Sequence, residues 1–145
     1  MSKAFTLLET LLIIAIIVFL AALIFPLGLD FYKDQQLQSA TQGILQTLRR
    51  AQLKAMAVEQ DSSFGVYITN TNYTLFKGNS FATRESNFDE IFPLSSAISV
   101  QSPPKEIIFL KMEGKPISSQ TIILNSGSRS QTININEVGR INLEL

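Results

Sequence analysis

The pattern of hydrophobic and polar positions divides the chain into three parts. The first is an uninterrupted apolar run, Leu11 to Leu29, that contains no charged side chain. A helix of this length spans roughly 28 Å at about 1.5 Å per residue, close to the thickness of a bilayer's hydrocarbon core. The run therefore predicts a membrane-spanning helix near the N-terminus. From Asp30 onward the chain reads as an ordinary soluble sequence.

Two other interpretations of the apolar run are weaker. A buried core helix would need apolar neighbours on every side, because the run is apolar around its whole circumference. A cleaved secretory signal would be shorter and would end in a small-x-small site, whereas this run ends in FPLGLDFYKDQQ. Lys3 precedes the run, and Asp30, Lys33 and Asp34 follow it, which weakly favours an N-terminus in the cytoplasm.

The second part has the period of an amphipathic helix. Apolar residues recur at steps of three or four from Leu37 to Val58, and polar side chains occupy the other faces. Together with the apolar run, this pattern predicts one long helix from about Phe5 to about Val58, roughly 80 Å in length. Pro26 is predicted to bend the helix, because proline removes one backbone donor.

The third part has the period of strands. Phe64–Ile68 and Tyr73–Lys77 flank a stretch of Thr and Asn that is typical of a hairpin turn. Residues 78–89 are predicted to form a loop, and the later short apolar segments are separated by glycines. One long helix followed by strands predicts an α+β fold. In this fold, a membrane-embedded half and an amphipathic half make up the helix, which packs on a C-terminal antiparallel β-sheet.

The composition limits the chemistry that the protein can perform. The 145 residues include no Cys and no His, which excludes disulfides, thiol nucleophiles and imidazole acid–base catalysis. No acidic cluster has the spacing of a calcium-binding loop. The 12 basic residues balance the 12 acidic residues, which argues against a general nucleic-acid-binding protein. We therefore expect a structural or binding function without a catalytic residue, a metal or a cofactor.

One acidic residue, Glu9, lies at the beginning of the apolar part. An acidic side chain at the centre of a bilayer costs roughly 2.5 kcal/mol or more, and less near the edge. In one interpretation, Glu9 lies in the first helical turn, where the helix dipole favours a negative charge. In the other, it pairs with a positive group, either an α-amino group created by cleavage before Phe5 or the amine of a neighbouring copy. The residues alone leave both interpretations open.

The segment KAFTLLE, Lys3 to Glu9, followed by the apolar run, resembles the prepilin signal of type IV pilins and type II secretion pseudopilins. The resemblance implies that a prepilin peptidase cuts between Ala4 and Phe5, behind the basic Lys3, and that Phe5 is then N-methylated. It implies that Glu9 pairs with a terminal amine during filament assembly. Pro26 matches the proline that the family often places late in the apolar helix, whereas Ala4 stands where Gly is usual.

The resemblance also implies a domain layout. Residues 1–4 form the leader, 5–29 the transmembrane and assembly helix, 30–58 the amphipathic half of the helix, and 59–145 a β-rich globular head. The late strands resemble those of H-type minor pseudopilins and FimT-like minor pilins. The expected function is that of a structural subunit of a type IV pilus or a type II secretion pseudopilus.

Such a subunit is stored in the cytoplasmic (inner) membrane as a single-pass protein with its N-terminus inside. It then enters an extracellular or periplasmic filament through its N-terminal helix. The implied partners are other pilin subunits, the prepilin peptidase, the assembly platform and, before assembly, membrane lipid.

An alternative function is that of a minor tip pilin that binds DNA for uptake. Five basic residues of the strand region would contact DNA if they shared one face of the head; they are Lys105, Lys111, Lys115, Arg129 and Arg140. Charges scattered over the surface are the simpler interpretation. The position of the five residues in the folded head therefore bears on this alternative.

Overall fold

The computed structural model describes the backbone of residues 6–144 and the side chains of residues 6–22 and 31–144. The chain divides between Lys33 and Asp34 into two compact units. The predicted processing residues Lys3, Ala4 and Phe5 lie outside the described residues, and the side chain of Pro26 lies outside them as well.

One run of helical backbone, α1, extends from Leu7 to Met56. The residues of α1 whose side chains are described fall into two helical segments, 7–22 and 31–56. Among the residues with described side chains, no helical stretch is long and apolar enough to cross a membrane. The predicted fold, with one long N-terminal helix that is half membrane-embedded, is therefore wrong.

Eight strands follow α1. They are β1 (Phe64–Ile68), β2 (Asn72–Lys77), β3 (Glu90–Pro93), β4 (Ser99–Val100), β5 (Lys105–Phe109), β6 (Gln120–Ser126), β7 (Arg129–Ile135) and β8 (Ile141–Glu144). They form two four-stranded sheets rather than the predicted single sheet. Sheet A has the order β3-β2-β1-β5 and sheet B the order β4-β6-β7-β8. All neighbouring strands are antiparallel.

The predicted hairpin is present between β1 and β2. Phe64 pairs with Lys77 and Ile68 pairs with Tyr73. The turn between the strands closes through Thr69, whose backbone N–H donates to the carbonyl oxygen of Asn72 at 2.9 Å. The Thr69 hydroxyl also accepts from the backbone N–H of Asn72 at 3.1 Å, as turn-forming Thr side chains do.

The hydrophobic core lies within the second unit. One face of the segment 31–56 is buried, and its apolar members are Leu37, Ile44, Leu45, Leu48, Ala51 and Ala55. These side chains belong to one apolar cluster with residues of both sheets, among them Val66 and Ile133. Burying one large aliphatic side chain of this kind stabilises the fold by roughly 1.5–3 kcal/mol. The helical stripe that the sequence shows is therefore the stripe that faces the core.

A close approach between helix and sheet depends on Gly43. A Cβ atom at this position would lie 2.6 Å from the hydroxyl oxygen of Tyr73, which is too close for a carbon and an oxygen atom that are not bonded. Burial of its side chain raises the pKa of Tyr73 above its ordinary value. Gly43 thus makes room for a buried aromatic side chain of β2.

Candidate functional site

Thr6 caps the first helical turn. The backbone N–H of Glu9 donates to the Thr6 hydroxyl at 3.3 Å and to the Thr6 carbonyl oxygen at 3.0 Å. Thr6 therefore lies at the N-cap and Glu9 at the third helical position, the spacing of a capping box. This role of Thr6 was not predicted from the sequence, although T-L-L-E is the usual signal for it.

Glu9 is exposed at the beginning of α1. Within residues 6–144, no Lys or Arg side chain forms an ion pair with it. Its position in the first turn agrees with the interpretation that the helix dipole favours its charge. Pairing with a terminal amine stays a prediction, because it involves either Phe5, which is not described, or a second copy.

The segment 7–22 presents apolar side chains to its surroundings on every face. The exposed fraction ranges from 43% at Ile13 to 82% at Leu7. The exposed large side chains are Leu7, Leu8, Leu11, Leu12, Ile13, Ile14, Ile16, Ile17, Val18, Phe19 and Leu20. Since successive residues of a helix point about 100° apart, such a run leaves no polar face. This segment is the largest concentration of exposed apolar side chains in the described part of the chain.

The five basic residues proposed for DNA come from several strands and turns of the head. Lys105 begins β5 and Lys111 follows its end, which separates them by roughly 20 Å at about 3.3 Å per residue. Arg129 begins β7. Arg140 lies at the other end of the same strand, because its neighbour Ile141 pairs with Ile135.

Three of these basic residues are also engaged with carboxylates. The ammonium of Lys111 lies 2.6 Å from Asp61, that of Lys115 lies 3.0 Å from Glu113, and Arg129 pairs with Asp34. A phosphate backbone would have to compete with these acids. The carboxylates thus partly neutralise three of the five basic residues, and DNA binding stays a prediction.

Two shallow cavities lie between the segment 31–56 and sheet A. One has a volume of about 230 Å³ and is lined by Tyr73, Leu94 and residues of the helix. The other has a volume of about 190 Å³ and includes Tyr73 and Phe92, whose rings stack at 5.1 Å. Neither cavity contains a carboxylate. Among the described residues, no group of three or more acidic side chains could hold a metal ion.

Comparison with known proteins identifies no family. No family model, no curated protein and no solved structure matches the chain.

Proposed function

We propose that the protein is a structural subunit of a type IV pilus or type II secretion pseudopilus and that it joins the filament through the segment 7–22. The observation that supports this proposal is the exposure of large apolar side chains on every face of this segment, such as Leu12 at 58% and Phe19 at 65%. A helix that is apolar all round requires apolar neighbours on several sides. The same segments of other subunits supply such neighbours in a filament.

The energetics of assembly favour this arrangement. Complete burial of one large aliphatic or aromatic side chain is worth roughly 1.5–3 kcal/mol, and the segment offers a continuous run of them. Part of that gain is lost to the entropy of association and of ordering side chains. A run of this length leaves a surplus even so, whereas one or two exposed apolar residues on the head do not.

Glu9 has a defined role in such a bundle. A carboxylate surrounded by apolar helices is tolerable only beside a positive charge, because its desolvation is otherwise uncompensated. The amine created by cleavage between Ala4 and Phe5 is the charge that the prepilin resemblance supplies. Pairing of Glu9 with that amine on a neighbouring subunit sets the axial position of one subunit against the next.

Processing by the prepilin peptidase and storage in the cytoplasmic membrane are further parts of the proposal. They follow from the resemblance of residues 3–9 to the prepilin signal. Mass spectrometry of the mature protein tests them, with an N-methylated Phe5 as the expected first residue. A mature chain that retains Met1 would contradict the processing step and, with it, the proposed pairing of Glu9.

Assembly through the segment 7–22 is tested by two substitutions at equally accessible positions. Ile14 is 61% exposed and Val138, on the turn before β8, is 71% exposed. Ile14→Asn and Val138→Asn should both leave the free subunit folded. In cells with an intact assembly machine, Ile14→Asn should remove the subunit from sheared filaments, whereas Val138→Asn should not.

Equal amounts of both variants in the filament fraction would overturn the proposal. A second pair of variants isolates the charge: Glu9→Gln should be scarce in filaments, and Glu137→Gln, on the same turn as Val138, should appear at the wild-type level. Immunoblots of the membrane and filament fractions measure both pairs.

A further inference from the structure

The turn that follows α1 has an unusual backbone. Val58, Gln60 and Asp61 all have left-handed conformations, with φ of 55°, 50° and 57°. Residues other than Gly are uncommon in this region, and a β-branched residue such as Val is an outlier there. Helices that end this way usually place Gly at the position that Val58 occupies. The turn therefore stores backbone strain.

Contacts distant in sequence accompany this turn. The stretch Ala57 to Asp61 contains no Gly or Pro that would end a helix. Instead, the carbonyl oxygen of Ala55 accepts from the backbone N–H of Val58 at 3.2 Å and from that of Met112 at 3.0 Å, whereas a further helical turn would use the N–H of Glu59. The segment after β5 thus packs against the point where the helix ends.

The side chain of Gln52 holds the same segment in place. Its amide nitrogen donates to the carbonyl oxygens of Gly114 at 2.8 Å and Gly139 at 2.7 Å. The end of α1 is therefore attached to the loop after β5 and to the turn before β8. This attachment keeps Met112 beside Ala55 and keeps the strained turn closed.

An ion pair joins the strained turn to the end of β5. The ammonium of Lys111 lies 2.6 Å from a carboxylate oxygen of Asp61. Its hydrogen bond and its charge hold the pKa of Asp61 below the ordinary value. The Asp61 side chain is 85% exposed, so the pair contributes little to global stability. Its effect is local, on the turn alone.

We propose that the turn 58–61 is a conformational joint between α1 and β1, which opens while both sheets stay folded, and that the Lys111–Asp61 pair is its clasp. Opening releases the strain of three left-handed residues, so it costs less free energy than opening a core strand. The inference does not depend on the filament proposal.

Hydrogen exchange of the full chain in detergent micelles tests the clasp. Lys111→Met should speed the exchange of the amides of residues 58–62 by roughly twofold to fivefold, the range expected for an exposed ion pair. The amides of β6 and β7 should exchange at the wild-type rate. Lys115→Met is the matched control, because it removes only the pair with Glu113, and it should leave the turn unchanged.

A second pair of variants tests the strain. Gln60→Gly should slow exchange in the turn by roughly threefold, because Gly adopts the left-handed conformation without strain. The same change at Gln42, an exposed position within the helical segment, should speed exchange in the helix, because Gly destabilises helix interiors. Circular dichroism confirms that each variant is folded.

Two results would overturn the joint. One is a hydrogen-exchange rate at residues 58–62 that changes by the same factor as the rates in β6 and β7. The other is faster exchange in Gln60→Gly than in the wild-type chain.

Discussion

The two helical segments of α1 differ in what covers their apolar side chains. In 7–22 the large apolar side chains are 43–82% exposed, whereas Ile44 and Leu48 in 31–56 are completely buried. The second segment has a polar face and one apolar stripe, so a single layer of sheet can cover it. The first has no polar face, so a single layer of sheet would leave part of its apolar surface uncovered. Apolar content alone therefore does not decide where a helix is buried; the angular distribution of its apolar side chains does.

The largest expected effect is a loss of stability when a core side chain of 31–56 is shortened, compared with an exposed side chain of 7–22. Leu48→Ala should destabilise the fold by roughly 2–5 kcal/mol, because it leaves a cavity in the core. Leu12→Ala, at a position 58% exposed, should change the stability of the free chain by less than about 0.5 kcal/mol. Urea unfolding in detergent measures both. A similar loss of stability in both variants would mean that the first segment is covered within the subunit.

The next effect concerns the polar attachment of the second segment. Gln52→Ala removes the donor for two partly buried carbonyl oxygens, those of Gly114 and Gly139. We expect a loss of roughly 1–3 kcal/mol, the cost of leaving such groups without partners. Gln38→Ala, at an exposed helical position, is the control and should stay within about 0.5 kcal/mol of the wild-type value. Equal effects of the two substitutions would argue against the attachment.

A smaller effect tests the close approach of helix and sheet. Gly43→Ala places a Cβ atom against the hydroxyl of Tyr73, which should cost roughly 1–3 kcal/mol, partly offset by about 1 kcal/mol of better helix propensity. Tyr73→Phe removes the clashing oxygen. In a double-mutant cycle, Gly43→Ala should therefore be less harmful, or even stabilising, in the Tyr73→Phe background. Strictly additive effects would exclude the clash.

The smallest expected effect is a local loss of helix stability at the beginning of the segment 7–22. Thr6→Ala removes the N-cap hydrogen bond to Glu9, which should cost roughly 1 kcal/mol of local helix stability. Global unfolding should not change, since the core lies in the second unit. Thr6→Ser keeps the hydroxyl and serves as the control. Hydrogen exchange of the amides of residues 8–11 should be faster in Thr6→Ala only; a lower urea midpoint would contradict the expectation that the loss is local.

The stripe of Leu37, Ile44 and Leu48 and the hairpin from Phe64 to Lys77 could be predicted from the sequence, because both depend on local periodicity. The apolar run was visible as well, but its interpretation as half of a long membrane-spanning helix was wrong. The N-cap role of Thr6 could have been found, because its T-L-L-E signal lies within four consecutive residues.

Other features became visible only in the folded chain. The division of the strands into two sheets depends on which edges meet across long loops, and no local pattern specifies that choice. The end of α1 at Met56 packs against Met112, more than fifty residues away along the chain. The same applies to the partners of Lys111 and Arg129, because a carboxylate that neutralises a basic residue is found only after the strands have paired. Local patterns specify which residues must be covered; contacts between distant residues decide what covers them.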